Sequence, residues 1–238
     1  MPNPPANWFD SLPKDRCIAE VSMWSADLGN LGAETERCTP HADMLHVDVA
    51  DGIFAPSFLF FPDLVAAIRA RTALPVHVHL MVDDAILLEQ VRQFTEAGAD
   101  LISVHAENAN AMEAMELIAD CGALSGVVLR VETPINAAAS LMEKARFLTL
   151  LGTAIGVKGQ GLSPEALPRL TQARGLLSAQ PGPRRILAAD GGIRENTVPD
   201  LLRAGAETVV MGSLFFGAPD LASRARWLAE LELAQNGP

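Results

Sequence analysis

The sequence predicts a single α/β domain folded as a (β/α)8 TIM barrel, and three observations lead to that prediction. The chain has 238 residues, of which 49% are hydrophobic and 20% charged, so one large core can be buried. Eight short apolar runs rich in β-branched residues alternate with longer helical patterns. The runs are nearly continuous, as strands of a parallel sheet covered by helices require. A doubly wound open sheet would also alternate strands and helices and stays open as the alternative.

The predicted elements follow an N-terminal arm in regular order. Residues 1–16 are rich in Pro, Asn and Asp and are expected to be irregular, which leaves 17–238 for the barrel. The predicted strands are 18–23, 44–49, 76–81, 101–104, 126–131, 147–151, 186–189 and 208–211. The predicted helices between them include 62–71, 85–97, 109–121, 135–144, 164–177 and 195–204. Thr133-Pro134 and Ser163-Pro164 each place a capping hydroxyl before a proline, as at helix starts.

Charge and hydropathy exclude several classes of protein. A net charge of −11 argues against nucleic acid as a partner, because a phosphate backbone requires a basic surface. No apolar run reaches the roughly 18–20 residues of a membrane-spanning helix, so no membrane association is expected. Residues 1–16 lack the basic and then apolar layout of a signal peptide, which predicts a cytoplasmic protein.

Polar side chains stand at the ends of several predicted strands, where a barrel forms its active site. His46 and Asp48 are two residues apart, so the strand repeat puts both on one face. His79 lies in the next strand, two residues after His77, and Asp190 ends the seventh. Together these imidazoles and carboxylates predict a mixed nitrogen and oxygen site for a divalent transition metal. From spacing alone, structural histidines and a helix-capping aspartate remain the alternative.

Glycine-rich turns follow the seventh and eighth predicted strands. Asp190 is followed by Gly191 and Gly192, and the eighth strand is followed by Gly212 and Ser213. These are the two loops in which barrels frequently bind phosphate through backbone amides and a short helix. The sequence therefore predicts a phosphorylated ligand, with tight turns alone as the alternative.

Five sequence strings occur in the order found in ribulose-phosphate 3-epimerases, which this chain resembles from about residue 18 to residue 217. They are SMWSAD at 22–27, LHVDVADG at 45–52, VHLMV at 78–82, ADGGI at 189–193 and MGS at 211–213. The resemblance implies a TIM barrel of the ribulose-phosphate-binding type, a homo-oligomer and a metal-dependent epimerase. Its reaction would invert the carbon next to the ketone of a ketose phosphate, with ribulose 5-phosphate and xylulose 5-phosphate as the leading pair.

The resemblance also implies roles for individual residues. One divalent zinc, iron, manganese or cobalt ion would be held by His46, Asp48, His79 and Asp190. Asp48 and Asp190 would also exchange the substrate proton, one on each face of the reacting carbon. The other contacts to the phosphorylated sugar would come from Ser22, Met81, Gly156, Lys158, Gly191, Gly192, Gly212 and Ser213. His77 has no role in that family, where an aspartate is common at this position.

The chain departs from the family at positions that line or cover the site. Ala50 and Leu151 stand where methionines are usual, and Ile53 and Ser57 replace a histidine and an asparagine. The loop that usually reads NPGFGGQ reads AIGVKGQ at 154–160, and Lys158 is expected to reach the phosphate or a distal hydroxyl. A hexulose or tetrulose phosphate therefore remains an alternative substrate.

Two other functional classes stay open at lower weight. A lyase or decarboxylase of related phosphate-binding barrels would need a lysine inside a strand, and no predicted strand contains one. A barrel that binds a phosphorylated ligand without turnover would gain nothing from two acid/base carboxylates at the strand ends.

Overall fold

The computed structural model of the chain describes residues 2–180, 182–231 and 233. Eight parallel strands form a closed barrel in chain order. They are β1 (Ile18–Ser22), β2 (Met44–Ala50), β3 (Val76–Met81), β4 (Leu101–His105), β5 (Leu124–Leu129), β6 (Phe147–Leu151), β7 (Ile186–Asp190) and β8 (Thr208–Met211). β1 pairs with β8, from Ile18 opposite Thr208 to Val21 opposite Met211. This closure confirms the predicted (β/α)8 barrel and excludes the open doubly wound sheet.

The helices flank the strands as a TIM barrel requires. They are α1 (Trp8–Ser11), α2 (Leu31–Cys38), α3 (Pro62–Arg69), α4 (Asp84–Glu96), α5 (Ala111–Asp120), α6 (Ala139–Lys144), α7 (Ala166–Ala179), α8 (Val198–Arg203), α9 (Ser213–Phe216) and α10 (Leu221–Ala229). The six predicted helices correspond to α3 through α8, and a 3-10 turn at Ile135–Ala138 precedes α6. Helices α1, α2, α9 and α10 were not predicted. Over the described ranges, no helix combines the length and the apolar character needed to span a membrane.

Several local predictions were wrong. β5 begins at Leu124, two residues earlier than predicted, and α8 begins at Val198, three residues later than predicted. The hydroxyl of Thr133 donates to the carboxylate of Glu107 and caps no helix. Ser163 lies outside α7, which begins at Ala166 without a side-chain cap. At Thr133 a tertiary hydrogen bond therefore outweighed the local signal of a hydroxyl before proline. The Ser163 hydroxyl accepts a local 3.3 Å hydrogen bond from the amide of Glu165, just before α7.

The N-terminal arm closes the lower end of the barrel, where the amino ends of the strands lie. It contains α1, so the arm predicted to be irregular is partly helical. Phe9 and Leu12 are buried and pack with Ile18, Met44 and other apolar side chains at the lower strand ends. Arg184 fastens the arm by donating to the carbonyls of Phe9 and Leu12, at 3.2 and 2.8 Å. The arm seals this end and leaves the carboxyl ends of the strands for the site.

The barrel interior becomes polar toward the carboxyl ends of the strands. Above the apolar lower layer lies a polar layer without solvent exposure, made of Glu20, His46, His77, Ser103, Thr149 and Thr208. The register pairs His46 with His77 and Asp48 with His79, so the strand repeat of two places a second polar layer nearer the mouth. That upper layer contains Ser22, Asp48, His79, His105 and Asp190.

Candidate active site

Most residues predicted to form the site line one cavity at the carboxyl ends of the strands. The cavity is open to solvent at its mouth and contains about 740 Å³ of space, part of which is open solvent. Its wall contains Ser22, Asp48, His79, Met81, Gly156, Lys158, Asp190, Gly191, Gly192, Gly212 and Ser213. His46 lies beneath the cavity and is fully buried. The barrel therefore brings together residues that are up to 191 positions apart between Ser22 and Ser213.

Four side chains at the cavity floor, His46, Asp48, His79 and Asp190, have the residue types and the spacing of metal ligands and are named the metal-binding cluster. The Nε2 atom of His46 lies 3.1 Å from Asp48 Oδ1, and the Nδ1 atom of His79 lies 3.3 Å from the same oxygen. Asp190 Oδ2 is 3.9 Å from His79 Nδ1, and the four ligand atoms all lie within 4.8 Å of one another. Ligands about 2.0–2.2 Å from a tetrahedral ion are roughly 3.3–3.6 Å apart. The four residues therefore fit a divalent ion.

Asp48 stands at the centre of this cluster. Its Oδ1 faces both histidines, and its Oδ2 accepts a 2.8 Å hydrogen bond from the Ser22 hydroxyl. Burial opposes ionisation, but His46 and His79 outweigh it and lower the pKa of Asp48 well below its usual range. The carboxylate is thus ionised and oriented, as a metal ligand or a general base requires.

Asp190 has the opposite electrostatic environment. Its side chain faces the cavity and is 19% exposed. Burial and the negative charge of Asp48 raise the pKa of Asp190 to about 6. Two titratable groups whose environments push their pKa values apart can serve as acid and base in the same reaction. The cavity can therefore supply a proton acceptor and a proton donor to one substrate.

A buried carboxylate that was not predicted as a site residue supports His46. Glu20 of β1 is fully buried, and its Oε1 atom lies 2.8 Å from His46 Nδ1. Burial opposes ionisation of Glu20, but hydrogen bonds from His46 and His77 outweigh it and lower its pKa to about 2. The signal in the sequence was one acidic residue in the middle of an apolar strand.

Glu20, His46 and His77 form a second group of potential metal ligands. His77 Nδ1 lies 2.6 Å from Glu20 Oε1, and His77 Nε2 lies 2.7 Å from the hydroxyl of Ser103. Atoms 2.6 and 2.8 Å apart are hydrogen-bonded and too close to ligate one ion between them. No ligand role was predicted for His77, and its hydrogen bonds give it a structural one.

His79 is supported by another chain of polar residues, which sequence reasoning missed. His79 Nε2 lies 2.9 Å from His105 Nε2, and His105 Nδ1 lies 2.9 Å from Glu107 Oε2. Thr133 and the backbone amide of Arg130 donate to the other oxygen of Glu107. The end of β4 carries the same spacing of histidine and acid as β2. The predicted strand stopped at residue 104, one position before His105.

Two glycine-rich turns line the cavity after β7 and β8. Gly191 and Gly192 have φ angles of +88° and +70°, which residues other than glycine rarely adopt. Gly212 directly precedes α9, which begins at Ser213. Main chain therefore borders the cavity where a barrel commonly holds phosphate. Arg194, which was not predicted, adds a cation to the same wall.

The loop at 154–160 covers part of the cavity. Lys158 Nζ donates a 2.6 Å hydrogen bond to the carbonyl of Trp24 and lies 4.5 Å from the centre of the Trp24 ring. The hydroxyl of Ser57 donates to the carbonyl of Gly156 at 2.7 Å. Two departures from the family pattern, Ser57 and Lys158, therefore fasten this loop to the loops after β2 and β1.

Other departures lie in or directly behind the apolar wall of the cavity. Leu151 lines the cavity from the end of β6. Ala50 lies behind the wall, where it packs with Ala55 and with the buried Met81, next to Ile155 of the covering loop. Neither departure belongs to the metal-binding cluster.

Solved structures share this fold. A 3-hexulose-6-phosphate synthase from Salmonella typhimurium aligns with a TM-score of 0.65 and 18% identity, over 89% of this chain and 96% of that chain. An orotidine 5'-phosphate decarboxylase from Pyrococcus horikoshii aligns with a TM-score of 0.61 and 14% identity, over 89% and 97%. Identities this low establish the barrel and leave the chemistry to the site.

Relatives with higher identity identify the family. A ribulose-phosphate 3-epimerase from Aquifex aeolicus is 35% identical over 81% of this chain and 86% of its own length. One from Bacillus subtilis is 32% identical over 84% of this chain and 92% of its own length. The model of the ribulose-phosphate 3 epimerase family matches residues 18–216, which confirms the resemblance over about the same span. The chain belongs to the ribulose-phosphate 3 epimerase family.

Proposed function

We propose that the chain is a metal-dependent epimerase that interconverts ribulose 5-phosphate and xylulose 5-phosphate. The pair Asp48 and Asp190 carries this proposal, because the two carboxylates belong to one metal-binding cluster and both line the same cavity. Inversion of a carbon next to a ketone needs one group to remove its proton and another to return a proton from the opposite face. The relatives named above as ribulose-phosphate 3-epimerases support the choice of a pentulose phosphate.

In the proposed reaction, Asp48 and Asp190 exchange the roles of base and acid with the direction of turnover. The Ser22 hydroxyl holds Asp48 Oδ2, so that this oxygen keeps one orientation during proton transfer. His46 and His79 complete the set of groups that would hold the ion. A bound divalent ion would stabilise the negative charge that develops on the ketone oxygen as the neighbouring proton leaves.

The phosphate group would bind at the other part of the cavity wall. Gly191 and Gly192 on one turn and Gly212 and Ser213 on the other supply main chain that a phosphate can approach closely. Arg194 and Lys158 line the same cavity. In a chain with net charge −11, such local cations and amides are what an anionic sugar needs.

A hexulose or tetrulose phosphate stays the alternative substrate, because the chain departs from the family pattern in the loop that covers the cavity. Ala50 is buried beside Met81 and does not itself line the cavity. A lyase is not favoured, because no lysine lies within β1 through β8.

The test is a panel of ketose phosphates incubated with metal-reconstituted protein in deuterated water. Ribulose 5-phosphate should yield xylulose 5-phosphate with one solvent deuterium at the inverted carbon. The same preparation should contain one divalent ion per chain. Absence of exchange with every ketose phosphate would contradict epimerisation, whereas faster turnover of a hexulose or tetrulose phosphate would change only the substrate.

Self-association and a cytoplasmic location stay predictions. Ile53, Phe58 and Phe61 around the loop after β2 are exposed apolar side chains, at 76%, 87% and 54%. A homo-oligomer would cover this apolar surface. Sedimentation analysis of the purified chain tests that prediction.

A further inference from the structure

The carboxylate of Glu20 lies beneath the metal-binding cluster and has no exposed surface. Its Oε1 atom is 2.8 Å from His46 Nδ1, on the side of the ring opposite the cluster. The other ring nitrogen, Nε2, lies 3.1 Å from Asp48 Oδ1 within the cluster. Glu20 and the cluster therefore contact the two different nitrogens of one imidazole.

This arrangement fixes the tautomer of His46. A ring nitrogen can bind a metal ion only in its unprotonated form, so Nε2 must give up the proton. The proton of neutral His46 then sits on Nδ1, where it is donated to Glu20. A carboxylate in this position fixes the orientation of the imidazole ring and makes its metal-binding nitrogen more basic.

Three donors hold the Glu20 carboxylate in place. His46 and His77 both donate from Nδ1 to Oε1, at 2.8 and 2.6 Å. Thr208 Oγ1 lies 3.2 Å from Oε2. His77 is fixed in turn by the Ser103 hydroxyl, 2.7 Å from its Nε2. A buried carboxylate with this many donors is stable in its ionised form.

We infer that Glu20 is a positioning residue of the metal centre, acting through His46. It orients Nε2 of His46 toward the ion, and it adds a third negative charge to those of Asp48 and Asp190. This inference rests on the metal site proposed above. Under this inference, metal affinity depends on the negative charge of Glu20 as well as on the four ligands, although Glu20 does not contact the metal.

Substitution by glutamine isolates the charge of Glu20. The amide oxygen can accept from His46 and His77 as Oε1 does now. The amide nitrogen would face Thr208, whose hydroxyl can accept from it and donate to the carbonyl of Ile18, 3.0 Å away. Glu20→Gln therefore retains the hydrogen bonds and removes the charge, whereas Glu20→Ala removes both.

The experiment measures the dissociation constant for Zn²⁺ by competition with a chromophoric chelator. Glu20→Gln should weaken binding by about 10- to 100-fold, as for other carboxylates behind metal-bound histidines, and Glu20→Ala should weaken it further. Ser103→Ala is the matched control, because it removes a buried hydrogen bond of His77 and leaves the contact between Glu20 and His46 unchanged. Its affinity for Zn²⁺ should stay within about twofold of wild type.

A second measurement needs no variant. In the Zn²⁺-loaded wild type, ¹⁵N-edited imidazole spectra should show His46 protonated at Nδ1, with a downfield proton typical of a bond to carboxylate. An unprotonated Nδ1 would overturn the inference even if Glu20→Gln failed to fold.

Three results of the affinity measurement would also overturn it. One is a folded Glu20→Gln variant that binds Zn²⁺ as tightly as wild type. Another is a loss in Ser103→Ala equal to that in Glu20→Gln, because the effect would then belong to the core in general. If wild type bound no Zn²⁺, the proposed metal site would fail together with this inference.

Discussion

The Nε2 atom of His79 lies 2.9 Å from the Nε2 atom of His105, and a hydrogen bond at this distance needs one protonated and one unprotonated nitrogen. Because Nδ1 of His79 faces the metal-binding cluster, the proton belongs on its Nε2. His105 then accepts at Nε2 and donates its Nδ1 proton to Glu107, 2.9 Å away. The carboxylate of Glu107 thus sets the tautomers of two histidines in sequence.

The first prediction tests the hydrogen-bonded series of Glu107, His105 and His79 with the variant Glu107→Gln. Oε1 of Glu107 accepts from Thr133 and from the amide of Arg130, so the glutamine oxygen should occupy that position. The amide nitrogen would then oppose the Nδ1 proton of His105 and favour the wrong tautomer. We expect Zn²⁺ affinity and kcat/KM to fall about tenfold, the lower end for partners of metal ligands.

Thr133→Ala is the control for that variant. It removes one hydrogen bond to Glu107 without reversing any donor or acceptor toward His105. A loss in Thr133→Ala as large as in Glu107→Gln would show that the tautomer argument is wrong.

The second prediction concerns the proton-transfer pair. Asp48→Asn and Asp190→Asn should each lower kcat by about 10²- to 10⁴-fold, the usual contribution of a general acid or base. Both residues are also expected to hold the ion, so metal content must be measured in each preparation. A variant with full metal occupancy and near-native turnover would identify its aspartate as a ligand without a proton-transfer role.

The third prediction is a pH dependence of stability in the metal-free protein. Hydrogen bonds from His105, Thr133 and Arg130 outweigh burial and lower the pKa of Glu107 to about 2, from an ordinary value of 4.5. A group with a lowered pKa stabilises the folded state fully above its unfolded pKa and loses that contribution as the pH falls toward the folded value.

This pH dependence can be checked by urea unfolding of wild type and of Glu107→Gln, both with a chelator present. The difference in unfolding free energy should be constant above about pH 5 and should shrink as the pH falls toward 3. A difference that grew on acidification would mean that Glu107 is protonated in the folded protein.

Strand direction explains why the sequence could predict that the four proposed metal ligands lie close together. Asp48, His79 and Asp190 lie near the carboxyl ends of β2, β3 and β7, and the barrel brings those ends to one mouth. His46 lies two residues before Asp48 on the same face of β2, and therefore directly beneath it. Because successive side chains of a strand point to opposite faces, every second residue then points into the barrel interior. No long-range information beyond the fold class was needed for these four.

The residues behind the cluster could not be predicted in the same way. Glu20 in an apolar run indicates a buried charge only when its partners His46 and His77 on two other strands are known. His105 and Glu107 depended on where β4 ends, and strand ends are the least certain part of a sequence-based assignment. Asp51, the second aspartate of the LHVDVADG string at 45–52, is the opposite case, because it belongs to the family pattern but not to the cluster. Asp51 accepts backbone hydrogen bonds that shape the next loop and lies outside the cluster.

The last prediction concerns Lys158, which was expected to reach the phosphate or a distal hydroxyl. Lys158 lines the cavity, and its Nζ atom donates to the carbonyl of Trp24 at 2.6 Å. A phosphate entering the cavity would compete with a neutral carbonyl for this cation, and a charge-assisted hydrogen bond is the stronger one. Lys158→Ala should then raise KM for a phosphorylated ketose by roughly 10- to 150-fold, equivalent to about 1.5–3 kcal/mol.

Ser57→Ala separates charge from loop attachment. It removes the 2.7 Å bond to Gly156 that fastens the same loop and leaves the lysine in place. Loss of attachment should raise KM similarly for a phosphorylated ketose and for an unphosphorylated analogue. Loss of the Lys158 cation should affect chiefly the phosphorylated one. Equal small effects of Lys158→Ala on both compounds would mean that this side chain only fastens the loop and that the turns after β7 and β8 bind the phosphate.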